Sequence, residues 1–432
     1  MERAIYAQLL EWKDLPDRKP LILLGARQVG KTYILKQFGE REFGNMVYVN
    51  CHNIAFMENL FTDFDINRIV YQIGVHTGQK ITPGKTLLVL DEIQEIHNGI
   101  ASLKYFCEDL RMLHVAVAGS LLGISLKEDE SFPVGKVNTI RMFPMTFSEF
   151  LLASGREALA EAIANLDYGT MRLLDNECTE RLRQYFFTGG MPEAVSKWLQ
   201  TLDPKAVRKV HNEILEAYYL DFSKHTKTMV RHIRMVWDSI PAQLAKENKK
   251  FIFGLVKKGA RAAQFEEALQ WLLDAGLLIR VNRCNVPRQP LKFYADSSAF
   301  KIYLLDCGLL ATLCEAELAD ILLGSKAFVE FKGAFAENFV LQQLTAKMSH
   351  SVYYYSKDNS TQEVDFLVQT PERVVPVEVK AEENVKSKSL STFINEEFKE
   401  LNLKGLRFSM KPYIDQGWME NVPLYAAEAY FG

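Results

Sequence analysis

The stretch KPLILLGARQVGKTYILKQF constrains the fold of this chain more than any other. Leu21 to Leu24 reads as a short apolar strand, and Gly25-Ala26-Arg27-Gln28-Val29-Gly30-Lys31-Thr32 as a glycine-bounded loop. Tyr33 to Phe38 then carries a helical pattern. The loop has the spacing GxxxxGK[ST] in the strand–loop–helix context that gives this motif its meaning. Its glycines let backbone N–H groups turn inward around phosphate oxygens, and the following helix N-terminus adds partial positive charge. Lys31 is expected to reach the β- and γ-phosphates of a bound nucleotide, and the Thr32 hydroxyl to ligate Mg²⁺. Gly25 through Tyr33 are therefore candidate contacts for ATP. The alternative, an accidental glycine turn, leaves the flanking strand and helix unexplained.

A second segment, TLLVLDEIQEIHN, supports this reading. Leu87 to Leu90 is a continuous apolar run, which suits a parallel strand covered on both faces. It ends in Asp91-Glu92. Asp91 is placed to hold Mg²⁺ through water, and Glu92 to polarise an attacking water as general base. Adjacent acids can also be a solvated strand end; the phosphate loop upstream favours the hydrolytic reading. A third run, HVAVAGS, ends at Ser120, a candidate sensor of the γ-phosphate, although serine is also a common turn residue.

A chain of 432 residues exceeds one ordinary domain, so two to four are expected. With 48% hydrophobic and 24% charged residues it has the composition of a globular protein. No apolar run approaches the length of a membrane span, and MERAIYAQLLEWKDL lacks the apolar centre of a secretory signal. Six scattered cysteines without a CxxC pair argue against a zinc ribbon or a disulfide framework, so a cytoplasmic location is expected. The net charge of -3 gives no global attraction to nucleic acid. A local basic stretch, KENKKFIFGLVKKGAR from Lys246 to Arg261, is either a solvated helix surface or a nucleic-acid contact.

Near the C-terminus, EVDFLVQTPERVVPVEVKA alternates apolar and charged residues about a Pro-containing break, a hairpin signal. A turn centred on Pro371 and Glu372 sets Asp365 opposite Glu378 and Glu363 opposite Lys380. Val364, Phe366 and Val368 then share the other face with Val375, Val377 and Val379. Two carboxylates directly across a strand pair repel each other, which asks for a compensating cation. Upstream, KGAFAENFVLQQL reads as an amphipathic helix carrying Glu337. Helix acid, strand acid and acid-x-lysine strand occur in the order of the PD-(D/E)xK nucleases. Two carboxylates, Asp365 and Glu378, suit a hard divalent ion, Mg²⁺ or Mn²⁺, that polarises a scissile phosphate and lowers the pKa of bound water. Lys380 shares the face of Glu378 because the strand period is two. It can orient the nucleophilic water, while Glu337 steadies the metal from the helix. The alternative is a solvent-facing strand with a Glu363–Lys380 salt bridge; it accounts for Lys380 but leaves Asp365 against Glu378 unexplained.

GARQVGKT, LDEIQ, the AGS strand end, FPMTFSEFL and GGMPEAV together resemble a large prokaryotic family of AAA-type ATPases. The resemblance implies an α/β chain: a P-loop NTPase parallel sheet at 1–150, a helical lid at 151–228, a winged-helix-like segment at 229–315 and an α/β restriction-nuclease-like domain at 325–432. Many members of the family carry Gly-Arg where this chain has Gly135-Lys136. A lysine keeps the charge but loses the planar fork, so Arg141 and Arg27 stand as alternative arginine fingers and the role stays unassigned. A winged helix can bind DNA or a protein. The expected function is a Mg²⁺-dependent ATPase whose cycle controls a nuclease-like domain in DNA processing or defence. The alternative is a nucleotide-driven switch whose C-terminal parts only bind DNA or a protein partner. Oligomerisation is compatible with both.

Overall fold

The computed structural model describes all residues except 53, 58, 121–131, 224–225, 247–248, 324–325, 349–350, 358–361 and 382–386. The chain divides into two compact units, one of Met1–Phe143 with Asp274–Gly276 and one of Pro144–Leu273 with Leu277–Gly432.

The first unit is built on β1 (Leu21–Gly25), β2 (Asn45–Asn50), β3 (Thr86–Asp91), β4 (His114–Ser120) and β5 (Asn138–Arg141), in the order β2-β3-β4-β1-β5. Every pairing is parallel. All six residues of β3 are buried, as a strand covered on both faces requires. On one face Ile22, Leu88, Leu90 and Val117 pack with Ile69, Ile73, Leu103 and Phe106 from the helices Ile66–Thr77 and Gly99–Asp109. Burying an aliphatic side chain of this kind contributes about 1.5–3 kcal/mol. The register aligns Gly25 with Ser120 and Asp91 with Ala118, so the carboxyl ends of β1, β3 and β4 lie on one edge, where open α/β sheets bind ligands.

The second unit holds a mixed sheet, eight-stranded among the described residues, in the order β12-β13-β11-β10-β9-β8-β6-β7. The strands are β6 (Leu278–Cys284), β7 (Ala295–Leu304), β8 (Tyr353–Ser356), β9 (Glu363–Gln369), β10 (Val374–Lys380), β11 (Gly405–Ser409), β12 (Ile414–Asp415) and β13 (Met419–Pro423). This corrects the expected division into modules. The two strands assigned to a wing, β6 and β7, do not stand apart. β6 pairs in parallel with β8 through Asn282–Tyr353 and Arg283–Tyr354, so one sheet runs across the 315/325 boundary. The helices of 151–228 also belong to this unit rather than forming a body of their own. Tyr185, on helix Asp175–Thr188, stacks edge-on against Phe339 and receives hydrogen bonds from Gln342 (3.0 Å) and Gln343 (3.4 Å). The first compact unit closes at Phe143, beyond which Met145 donates its N–H to the Gly190 carbonyl (2.6 Å) and Tyr185 donates to the Met145 carbonyl.

The stretch Ala334–Leu344 of helix Lys326–Lys347 is not amphipathic. Every residue from Ala334 to Leu344 is buried, including Glu337, Asn338, Gln342 and Gln343. The GGMPEAV motif is explained by the same packing. Gly190 donates its N–H to Asp306 (2.6 Å), and a Cβ at Gly190 would overlap the Met145 carbonyl. Gly190→Ala is therefore expected to destabilise the second unit by about 2–3 kcal/mol, the range of an overpacked core. Urea unfolding followed by fluorescence, with Trp198, Trp237, Trp271 and Trp418 as reporters, checks this; an unchanged midpoint contradicts it.

Candidate functional site

In the first unit β1 runs into the phosphate loop, and helix Lys31–Glu42 starts at Lys31. Gly30 caps it in the left-handed region (φ 97°), as does Gln28 within the loop (φ 66°). Gly25 has no room for a side chain, since a Cβ would overlap the Met142 carbonyl. Ala26 and Val29 are buried, Arg27 is half-buried, and Gln28 and Tyr33 are exposed. Lys31 is 8% exposed, and its ammonium donates to the carbonyls of Gly25 (3.0 Å) and Ala26 (2.8 Å). Burial lowers its pKa to about 8, against the opposing pull of Glu92 and Asp91. The Thr32 hydroxyl donates to Asp91 Oδ2 (2.7 Å), and the Tyr48 hydroxyl donates to the same oxygen (2.9 Å). Glu92 sits in the left-handed region (φ 56°) and accepts a hydrogen bond from Gln94. Ser120 ends β4, but its side chain lies outside the described residues. Lys136 is paired with Glu108 (2.8 Å) at the surface, and Arg141 is exposed on β5.

The fold thus gathers Lys31, Thr32, Asp91 and Glu92 at one sheet edge. A buried ammonium held by loop carbonyls, beside a hydroxyl–carboxylate pair, suits a polyphosphate with a hard cation. Tyr48 and Gln94 were not foreseen. Tyr48 lies two residues before the end of an alternating strand, and nothing in NMVYVN marks it as a partner of Asp91.

In the second unit β9 and β10 pair antiparallel, Val375 with Val368 and Val377 with Phe366, which is the register read from the sequence. The ladder ends at Val377. Beyond it Asp365 Oδ2 accepts the Val379 N–H (2.8 Å), while β10 continues beside β11 to Lys380. Glu378 is buried; one carboxylate oxygen meets Lys380 (3.2 Å), and Oε2 has no hydrogen-bond partner among the described residues. Glu337 joins this neighbourhood from helix Lys326–Lys347, bound by Lys249 (2.7 Å) and by the Tyr303 hydroxyl (2.8 Å). Glu363 pairs not with Lys380 but with Lys301, which is fully buried on β7.

Charge explains the titration of these groups. Burial and the Glu337 carboxylate push Asp365 up to about 7. Burial works against the charge of Glu337, but Lys249 and Lys301 outweigh it and hold its pKa below the usual glutamate value. Burial likewise opposes the charge of Lys301, and Glu363, Glu337 and Asp365 reverse that, raising its pKa. The positive charge that the hairpin alone lacks is therefore supplied in large part by Lys249 and Lys301. Among the described residues, the carboxylates of Glu337, Asp365 and Glu378 are not gathered within 4.8 Å of one another; His52, Glu92 and Glu95 in the first unit are. Lys301 and Tyr303 did leave a signal, a lysine and a tyrosine two apart inside the apolar run AFKIYLL.

The parallel sheet, the phosphate loop and the Asp91–Glu92 strand end define a P-loop ATPase unit. Residues 17–151 match the family described as "AAA domain", a class of P-loop ATPases that uses ATP and Mg²⁺. Residues 179–320 and 332–421 match two families, each described as a domain of unknown function (DUF8612 and DUF4143). Among solved structures, the chain is similar to the Orc1 protein of Aeropyrum pernix in complex with DNA. That match has 13% identity, covers 73% of this chain and 93% of that one, and has a TM-score of 0.28. It is also similar to Cdc6p from Pyrobaculum aerophilum, with 14% identity, 74% and 92% coverage and a TM-score of 0.26. Comparison with curated proteins yields no match. No described helix is long and apolar enough to cross a membrane.

The raised pKa of Asp365 gives a pH dependence of stability. For an acid titrating higher in the folded than in the unfolded state, its contribution is complete below the unfolded value of 3.8 and is lost as pH rises through about 7. Asp365→Asn removes that loss. Its melting temperature is expected to gain on wild type between about pH 4 and about pH 8. A difference independent of pH, measured by calorimetry, contradicts this assignment.

Proposed function

We propose that this chain hydrolyses ATP at the edge of its parallel sheet and that its nucleotide cycle controls a nuclease-like C-terminal unit acting on DNA, in DNA processing or defence. The observation that carries the ATPase half is the Thr32–Asp91 hydrogen bond (2.7 Å) beside buried Lys31 and Glu92. Lys31 exchanges its loop carbonyls for phosphate oxygens, while the backbone N–H groups from Ala26 to Thr32 line the polyphosphate. Thr32, and Asp91 through water, would hold Mg²⁺, which would neutralise phosphate charge. Glu92 takes the proton of the attacking water, with Gln94 fixing its carboxylate.

In the C-terminal unit Asp365 and Glu378 are the proposed holders of a divalent ion. The buried, partnerless Glu378 Oε2 and the raised pKa of Asp365 both fit a cation there. Lys380 is 36% exposed and orients water or the scissile phosphate. The second reading, a switch whose C-terminal unit binds DNA or a protein without cutting, is favoured by one observation: Glu337 is already neutralised by Lys249.

Lys31→Ala is expected to reduce ATP turnover by about a hundredfold or more, measured as phosphate release; undiminished turnover overturns the phosphate-loop assignment. Glu92→Gln should keep ATP binding and lose hydrolysis. For the C-terminal unit, wild type should nick DNA in Mg²⁺ or Mn²⁺ and Asp365→Ala should not. If both leave a panel of DNA and RNA substrates intact, the binding-switch reading takes its place.

A further inference from the structure

We propose that Lys249 is a built-in competitor for the divalent cation at the C-terminal cluster, so that metal is taken up only when this side chain releases Glu337. The inference rests on the nuclease-like reading of Asp365 and Glu378 given above.

The geometry leads to it directly. Glu337 is almost fully buried, and both of its oxygens are occupied, Oε1 by Lys249 Nζ (2.7 Å) and Oε2 by the Tyr303 hydroxyl (2.8 Å). Lys301 cannot play the exchangeable part. It is fully buried and held by Glu363. Lys249 differs: it lies at the edge of the cluster, 11% exposed, on a four-carbon stem that can swing outward. Its backbone does not need to move. The following residues are fastened by Phe251 N–H to the Phe300 carbonyl (2.8 Å) and by paired bonds between Gln243 and Ile252 (2.9 and 3.0 Å). Release of the side chain alone would leave Glu337 buried without its ion pair, which is unfavourable. A divalent cation near Asp365 and Glu378 offsets that loss and gives Glu378 Oε2 the partner it lacks. Lys249 and the cation therefore act as alternative positive charges for one set of carboxylates. The competition suppresses metal uptake at rest, and any ligand that draws Lys249 away, such as a phosphodiester backbone, promotes it.

The test is Mn²⁺ binding to the full chain, read by the electron-spin resonance of free Mn²⁺. The signal of interest is the uptake that Asp365→Asn removes, which separates this site from the phosphate loop and from His52, Glu92 and Glu95. Lys249→Met is expected to raise the affinity of that uptake at least tenfold. Lys249→Arg, which keeps the ion pair, should stay near wild type. Adding Glu337→Gln to Lys249→Met should cancel most of the gain and guards against misfolding from a lone buried charge. If wild type shows Asp365-dependent uptake and Lys249→Met binds no more tightly, the competition is overturned while the metal site stands. If no variant shows Asp365-dependent uptake, the metal site itself is overturned and the competition with it.

Discussion

A helical stretch buried on all sides must satisfy every polar group it carries, and Ala334–Leu344 of helix Lys326–Lys347 organises the second unit around that requirement. Leaving one such group unpaired costs about 1–3 kcal/mol. Asn338 therefore exchanges two hydrogen bonds with the backbone of Leu304 (2.8 and 3.1 Å), which fixes the helix to β7. Gln342 accepts the N–H of Cys307 (2.9 Å) and donates to Asp306 (3.1 Å). Gln343 accepts the N–H of Phe147 (2.8 Å), at the start of helix Phe147–Ala153. Each bond joins a different element to one axis. Glu337, next to Asn338, inherits a fixed position from this arrangement, and so do the two groups that reach it, Tyr303 on β7 and Lys249.

The first unit solves a different problem. Its charged groups stand at the carboxyl ends of buried strands, where the sheet itself supplies no counter-charge. Asp91 is steadied by two hydroxyls rather than by a lysine, so its charge remains available to a cation. Lys31 rests on loop carbonyls, acceptors that are weaker partners than a phosphate. Both groups are pre-positioned without being neutralised, the condition an electrostatic catalyst needs. In the second unit the acids meet lysines instead. The same residue types thus give an open charge arrangement in one place and a largely compensated one in the other.

The local chemistry of the first unit was legible because it is encoded within short segments. GARQVGKT and LLVLDE carry strand, loop and acids in sequence order, and parallel pairing only has to bring two strand ends together. The hairpin of β9 and β10 was legible for the same reason, since register follows from turn position and alternation. What failed was long-range. Nothing in the hairpin announces that Glu363 meets Lys301, 62 residues earlier, or that Glu337 meets Lys249. The helix was misread as amphipathic because Asn338, Gln342 and Gln343 look like a solvent face when their backbone partners are unknown. The extent of the sheet is hidden for a related reason: two strands and a turn look complete by themselves, and the Asn282–Tyr353 and Arg283–Tyr354 pairings carry the sheet past them.

The repulsion between Asp365 and Glu378 illustrates how such an omission changes a chemical argument. With only the hairpin in view, two opposed carboxylates call for a metal. With Lys249, Lys301, Lys380 and the buried Arg407 beside Glu378 included, four cations face the four carboxylates Glu337, Glu363, Asp365 and Glu378. Burial and the nearby Glu337 still push Asp365 up to about 7. A cluster so balanced can stand without a metal, yet it keeps one partnerless oxygen, Glu378 Oε2, and one carboxyl half-ready to ionise. Adding a divalent cation with every lysine in place would leave the cluster with excess positive charge. Displacing one lysine at the same time lessens that excess, and of the two lysines deepest in the cluster Lys249 is the one with exposed surface.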